Sequence, residues 1–192
     1  MDALSHLRGM IAALDETLVD NLCTRARLRR NEQLYGLPAA PLAGLEALAG
    51  QFASSDTLAS RIHVLRPPYL QAVIPILCEP GSEDGPTPCL AADAACLDAL
   101  ARRLALSVHV ATRKREAIPE ALPAALRTGD PARVEQAITI PAVEAEVLAR
   151  IRTRAREQAS RVETPDQVAA IYSEWIIPLS RKIQVHGLIF PL

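Results

Sequence analysis

Apolar side chains recur at spacings of three and four along most of the chain, the period of a helix with one buried face. Leu4, Leu7, Ile11, Leu14, Leu18 and Leu22, with Arg25 in register, mark a long amphipathic helix from about Asp2 to Tyr35. Gly36, Pro38 and Pro41 are expected to end it. Two shorter helical patterns fill Leu42 to Arg66, separated at Ser54-Ser55-Asp56 and closed by Pro67-Pro68. A further helix runs from Pro68 to Leu77, where Pro75 is expected to kink or end it. Glu79 to Pro88 (EPGSEDGPTP) is dense in turn formers and reads as an exposed loop inside one domain.

A second long helix spans about Ala91 to Arg115, with Leu97, Leu100, Leu104 and Val108 on one face. Pro119, Asp130-Pro131 and Pro141 open three more, the last reaching toward Arg161. A capping side chain followed by proline at the first helical position is well suited to starting a helix. Thr164-Pro165-Asp166 opens the final helix, which carries Val168, Ile171, Trp175, Ile176 and Leu179 on to about Leu188. The pattern predicts an all-α, single-domain bundle of seven to nine helices over residues 1–192.

Composition agrees. Ala and Leu supply roughly three residues in ten and aromatics only 3%, a balance that favours helices over strands. With 21 basic against 22 acidic side chains, no global field recruits nucleic acid or an anionic membrane. No uninterrupted apolar run of about 18 residues is present to span a membrane. Met1-Asp2-Ala3-Leu4-Ser5-His6 has neither a basic n-region nor an apolar h-region, so a cytoplasmic protein is expected. Cys23, Cys78, Cys89 and Cys96 lack C-x-x-C spacing, and they read as small buried hydrophobes in a reducing compartment. His6, His63, His109 and His186 are dispersed, and neither a nucleophilic triad nor a glycine-rich phosphate loop is found. No metal or organic cofactor is expected.

The candidate chemistry lies in polar residues at helix-facing spacings. Arg103 and Lys114 are eleven residues apart, close to three turns, so both leave one helix face about 16 Å apart. Ser180 and Gln184 form an i, i+4 pair on the last helix. Arg8 borders the apolar stripe of the first helix, and Glu144 opens the helix after Pro141. Turned into a bundle, these groups make a pocket for a small polyanion. Cations bordering an apolar stripe also snorkel into water, and spacing alone leaves both readings open. The run Arg150, Arg152, Arg154, Arg156 reads as a solvated face, because alternate helical positions point in different directions.

Three blocks carry a family resemblance: His6-Leu7-Arg8 through Ile11, Leu14-Asp15 and Leu18; Cys96-Leu97 through Arg102-Arg103 to Lys114, Ile118-Pro119 and Ala142-Val143-Glu144; and Ile171-Tyr172 through Ile176-Ile177-Pro178-Leu179-Ser180-Arg181 to Gln184-Val185. In this order and spacing they resemble the all-helical chorismate mutases, the larger fungal and plant branch. The resemblance is strong from about Ala95 to Leu188 and weak from Leu37 to Pro68. It implies the rearrangement of chorismate to prephenate on the route to phenylalanine and tyrosine, without a cofactor, in a homodimer. Arg8 and Arg103 would grip the substrate carboxylates, and Lys114 would donate to the ether oxygen and a carboxylate. Gln184 would give the ether oxygen its second hydrogen bond, Glu144 would accept from the ring hydroxyl, and Ser180 would contact a carboxylate. The catalytic half would be about 91–190, with the helix 2–35 lending Arg8.

Two departures stand out. The family's Asn one turn before the Glu is here Ile140, with Thr139 the nearest polar substitute. Where regulated members present Gly and Thr to an amino-acid effector, this chain has Thr87 and Ala91, so feedback by tyrosine or tryptophan is not expected. Arg8 and Arg25 are seventeen apart, as in the first helix of the minimal family members. Gly36 stands where that helix would need its lysine, which implies a duplicated architecture with one active site per chain. Two alternatives remain: an inactive regulatory bundle, favoured by Ile140, and a related lyase that releases pyruvate from isochorismate.

Overall fold

The computed structural model describes residues 3–35, 43–82, 86–117 and 121–190, without the side chains of 3–5 and 115–117. Ten α-helical segments occur among the described residues, and no strand. They are α1 (Ala3–Arg25), α2 (Leu45–Ala53), α3 (Leu58–Pro68), α4 (Ile74–Leu77), α5 (Thr87–Ala117), α6 (Ala121–Thr128), α7 (Pro131–Ile138), α8 (Pro141–Gln158), α9 (Thr164–Ile171) and α10 (Ile177–Ile189). The all-α expectation holds. The helix ends proposed at Gly36, Pro38 and Pro41, and the start at Pro119, lie outside the described residues.

The first helix ends at Arg25, ten residues short of the expected Tyr35. Arg25 is fully buried, and its guanidinium donates to the carbonyls of Leu28, Arg29 and Arg30. The chain therefore wraps around the charge instead of continuing the helix, and Asn31 takes a left-handed φ of 55° to complete the turn. α5 begins at Thr87, four residues before the expected Ala91, with Pro88 in its first turn.

Pro68 is the last residue of α3, as the sequence predicts, but the backbone stays helical beyond it and past Pro75. Pro67 and Pro68 sit inside the last turn of α3, and the backbone passes through a π turn at Tyr69–Val73 into α4. The N–H of Ile74 bonds the Tyr69 carbonyl five residues back. A turn this wide accommodates the ring of Pro75, so the helix is neither ended nor broken there. The same device joins α9 to α10: a π turn at Tyr172–Ile176, the N–H of Ile177 on the Tyr172 carbonyl, and Pro178 following. Tyr69-Leu70-Gln71-Ala72-Val73-Ile74-Pro75 and Tyr172-Ser173-Glu174-Trp175-Ile176-Ile177-Pro178 are two copies of one local design.

That duplication extends to the core. α1 and α5 lie side by side and exchange carboxylates. Asp93 of α5 accepts from Arg25 Nε at 2.7 Å and from the Tyr69 hydroxyl at 2.8 Å. Asp15 of α1 accepts from Arg103 Nε at 3.1 Å and from the Tyr172 hydroxyl at 3.2 Å. Each long helix thus carries an Asp ten residues before an Arg, and each Asp serves the other helix's Arg together with the Tyr that begins a π turn. All six side chains are buried, so each charge is matched within the interior.

Around these two triads runs the main apolar core, with Leu18, Leu22, Phe52, Leu65, Leu77, Leu100, Leu104, Ile176 and Ile183 among its buried residues. A second cluster, Ala111, Leu122, Val134, Ile138, Val185 and Leu188, packs the short helices α6 and α7 onto α5 and α10. All four cysteines are buried and reduced, as expected.

Asp93→Ala should lower stability by about 3–5 kcal/mol, because it strands the fully buried Arg25 without its carboxylate. Urea unfolding followed by circular dichroism would show it; a loss under about 1 kcal/mol would mean that solvent reaches Arg25.

Candidate active site

The face of α5 that carries Arg103 and Lys114 opens onto a cavity of about 360 Å³. α1 contributes Arg8 and Ile11, the α7–α8 junction Ile138 and Ile140, α8 Val143, Glu144, Glu146, Val147 and Arg150, and α10 Ile177, Ser180, Arg181 and Gln184. Five cations and two carboxylates thus line a wall whose other members are mainly aliphatic. A site of that composition selects an anion whose body is apolar.

Arg103 is 5% exposed. Its Nε is spent on Asp15, while Nη1 is buried with no hydrogen-bond partner. Asp15 is completely buried and also accepts from Arg150 Nη2 at 3.0 Å. Burial first, then the Asp15 charge, push the Tyr172 phenol well above its usual pKa, so it remains a donor to Asp15. Arg103, which also lines the cavity, is therefore held from behind by Asp15, with Nη1 left unpaired.

Lys114 donates to the Ile138 carbonyl at 2.8 Å. Burial pulls its pKa down to about 8, and the neighbouring charges of Arg8 and Arg181 pull the same way while Glu144 opposes them. Near neutral pH it is a cation, partly stripped of water and close to its titration point.

Ser180 shares a 2.8 Å hydrogen bond with Ser107, a buried residue one turn after Arg103 on α5. Gln184 Nε2 donates to Ser180 Oγ at 3.4 Å, and Gln184 Oε1 is buried with no partner. When Ser107 and Gln184 both donate to Ser180, the Ser180 proton is left for the cavity. Glu144 accepts from Arg181 Nη1 at 3.2 and 3.4 Å.

A family model described as chorismate mutase type II matches residues 90–185, half of the chain. The chain belongs to this family. The chloroplastic chorismate mutase 1 of Petunia hybrida is 30% identical over 135 residues, covering 63% of this chain and 42% of that protein. The chain thus spans less than half the length of that relative. The chorismate mutase of Schizosaccharomyces pombe is 25% identical over 238 residues, covering 97% of this chain and 95% of that protein. The solved structure of the chloroplast chorismate mutase from Zea mays has the same fold, with a TM-score of 0.78 at 21% identity over 98% of this chain and 95% of that one.

Of the residues singled out from the sequence, Arg8, Arg103, Lys114, Glu144, Ser180 and Gln184 all line the one cavity. Thr139 does not. Its hydroxyl donates to the Glu135 carbonyl at 2.7 Å, one turn back, where it caps the end of α7. Ile140, in place of the Asn found in chorismate mutases of the fungal type, lines the cavity and is 41% exposed.

The arginine run also departs from expectation. Arg150 reaches Asp15, and Arg154 makes a bidentate pair with Asp20 at 2.8 and 2.7 Å, so alternate members of the run clamp α8 to α1. Asp15, Ser107, Arg150, Tyr172 and Arg181 were absent from the sequence-derived site. The signal for Asp15 was available, because it sits between Ile11 and Leu18 in the buried stripe, where an unpaired carboxylate is costly.

Ile140→Asn should leave stability within about 0.5 kcal/mol of wild type, since the side chain stands at the cavity rim rather than in either core. Equilibrium urea unfolding checks this; a loss above about 1.5 kcal/mol would place Ile140 in the packing.

Proposed function

We propose that the protein is a chorismate mutase, converting chorismate to prephenate by an intramolecular Claisen rearrangement. The observation that supports this most directly is the cavity itself. Arg8, Arg103, Lys114, Glu144, Ser180 and Gln184, drawn from four helices, face one recess of about 360 Å³. In the reaction the ether C–O bond breaks as a new C–C bond forms, and no proton, electron or group leaves the molecule. The protein's work is to hold the compact chair-like conformer and to stabilise the charge that grows on the ether oxygen.

Arg8 and Arg103 bind the two carboxylates, Arg103 through the nitrogens that Asp15 leaves available. Lys114 and the second N–H of Gln184 converge on the ether oxygen, where the developing charge makes both bonds stronger in the transition state than in the ground state. Ser180 donates to a carboxylate, and Glu144 accepts from the ring hydroxyl. There is one such site per chain, and the reading extends to a cytoplasmic homodimer in aromatic amino-acid biosynthesis. Among the described residues no helix is long and apolar enough to cross a membrane.

Purified protein should deplete chorismate, seen as loss of its ultraviolet absorbance, and form prephenate. Arg103→Ala and Lys114→Ala should each lower kcat/KM by at least about 100-fold, the scale of losing one preorganised donor. Pyruvate release from isochorismate would favour the lyase instead. Stable wild-type protein that leaves chorismate untouched would favour an inactive bundle, the reading that Ile140 at the cavity wall supports.

The pH profile follows from Lys114. Only the ammonium can donate to the ether oxygen without also withholding its charge, and its pKa lies at about 8 in the unliganded protein. The Gln184 amide donates at every working pH. kcat/KM should therefore be level below about pH 7 and fall toward tenfold per unit above about pH 8. A bound dicarboxylate favours the ammonium, so the fall in kcat should come at higher pH than the fall in kcat/KM. Coincident, flat profiles to about pH 9.5 would remove Lys114 from the reacting centre.

A further inference from the structure

Arg181 stands in the cavity wall but lies outside the set of residues that sequence resemblance assigns to catalysis. From α10 its Nη1 reaches both oxygens of Glu144 on α8, at 3.2 and 3.4 Å, while its Nε lies 3.4 Å from Glu135 Oε1 on α7. The other Glu135 oxygen is 2.9 Å from Lys182 Nζ, which also holds Glu46 of α2 at 2.9 Å. Glu46, Lys182, Glu135, Arg181 and Glu144 thus form an alternating chain of charge from the surface to the cavity. Arg181, Glu135 and Glu144 are only 21–29% exposed, so these pairs are less screened than ordinary surface pairs.

We propose that Arg181 is a positioning residue: by bridging Glu135 and Glu144 it fixes the Glu144 carboxylate for the hydroxyl of a bound cyclic dicarboxylate. The proposal rests on the mutase reading above. Two features of this chain create the need. First, the α7–α8 junction offers the cavity no polar side chain, because Thr139 bonds backwards and Ile140 is aliphatic. The hydroxyl then depends on Glu144, since Glu146, the other cavity carboxylate, is exposed. Second, a carboxylate beside a dianionic ligand repels it unless a cation sits close by. Arg181 supplies that cation, and its ion pair with Glu135, 3.4 Å from Nε, keeps it beside Glu144.

The arrangement also has an electrostatic signature. Lys114 is faced by Arg8 from α1, Glu144 from α8 and Arg181 from α10, and Arg181 disfavours its charged form. Removing Arg181 deletes a like charge and frees Glu144 to approach the ammonium. Both effects raise the Lys114 pKa. A residue that only braced the helices would leave that titration where it is.

The test compares full-length wild type with Arg181→Leu, Arg181→Lys and Glu135→Gln. Steady-state kinetics on chorismate across pH are combined with calorimetric binding of a stable bicyclic dicarboxylate that mimics the chair-like transition state. Arg181→Leu is expected to raise KM and the mimic's Kd about tenfold, with a smaller fall in kcat. It should move the alkaline limb of kcat/KM to higher pH by about half a unit or more. Arg181→Lys should recover most of the affinity, and Glu135→Gln should weaken binding in the same direction but less. An unmoved alkaline limb with unchanged KM overturns the proposal. So does weakened binding that Lys fails to rescue while the limb stays in place. Wild type that binds the mimic without turning over chorismate would sink the mutase reading and leave the Arg181 proposal to be judged on Kd; wild type that does neither sinks both.

Discussion

Two long helices packed side by side have each placed a carboxylate beneath the other's arginine, and the rest of this molecule is arranged around that exchange. A buried guanidinium without a counter-charge is not tolerated, and an isolated buried carboxylate is no better. Asp15 with Arg103, and Asp93 with Arg25, therefore fix the register of α1 against α5 more tightly than aliphatic packing alone would. A slide of one turn would unpair four charges at once. Tyr69 and Tyr172 close the two triads from the π turns, which ties the rods α3–α4 and α9–α10 to the same pair of centres.

The two centres are built alike but end differently. Around Arg25 the remaining guanidinium nitrogens are consumed by backbone carbonyls at residues 28–30 and by the Tyr35 hydroxyl, so that centre is a structural knot. Around Arg103 the partner is the Asp15 side chain, and Nη1 is left over at a cavity. The difference between a fold-holding arginine and a ligand-facing one is thus where the other nitrogens go. Burial is equal or nearly so in both.

The cavity gains its electrostatic character in the same way, through charges anchored from behind. Asp15 holds Arg103, the Ile138 carbonyl holds Lys114, and Arg181 holds Glu144. Fixed before a ligand arrives, such groups need little reorganisation as charge develops, which is what makes them effective in a low-dielectric recess. The Lys114 pKa is depressed first by burial of that ammonium in a partly dry site, then by the charge of Arg8 and, less, of Arg181, against the opposing pull of Glu144.

Helix periodicity, a short-range property, determined the helical class and the spacing that places Arg103 and Lys114 on one face. Six of the seven residues singled out from the sequence, chosen on the family resemblance, line the cavity. Local sequence did not decide where α1 stops, since that depends on Arg25 meeting Asp93 from 68 residues away. Nor did it decide what Pro75 does: a proline normally breaks a helix, and here a π turn absorbs it within a continuous rod that buries one face. Thr139 was the nearest polar residue in sequence to the missing Asn, yet its hydroxyl bonds its own helix and leaves the cavity to Ile140. The anchoring residues Ser107, Arg150 and Arg181 emerge only when helices distant in sequence are brought together, and Asp15, whose place in the apolar stripe was legible, gains its partners only there. A buried charge announces that it needs a partner, but only tertiary packing says which one it has.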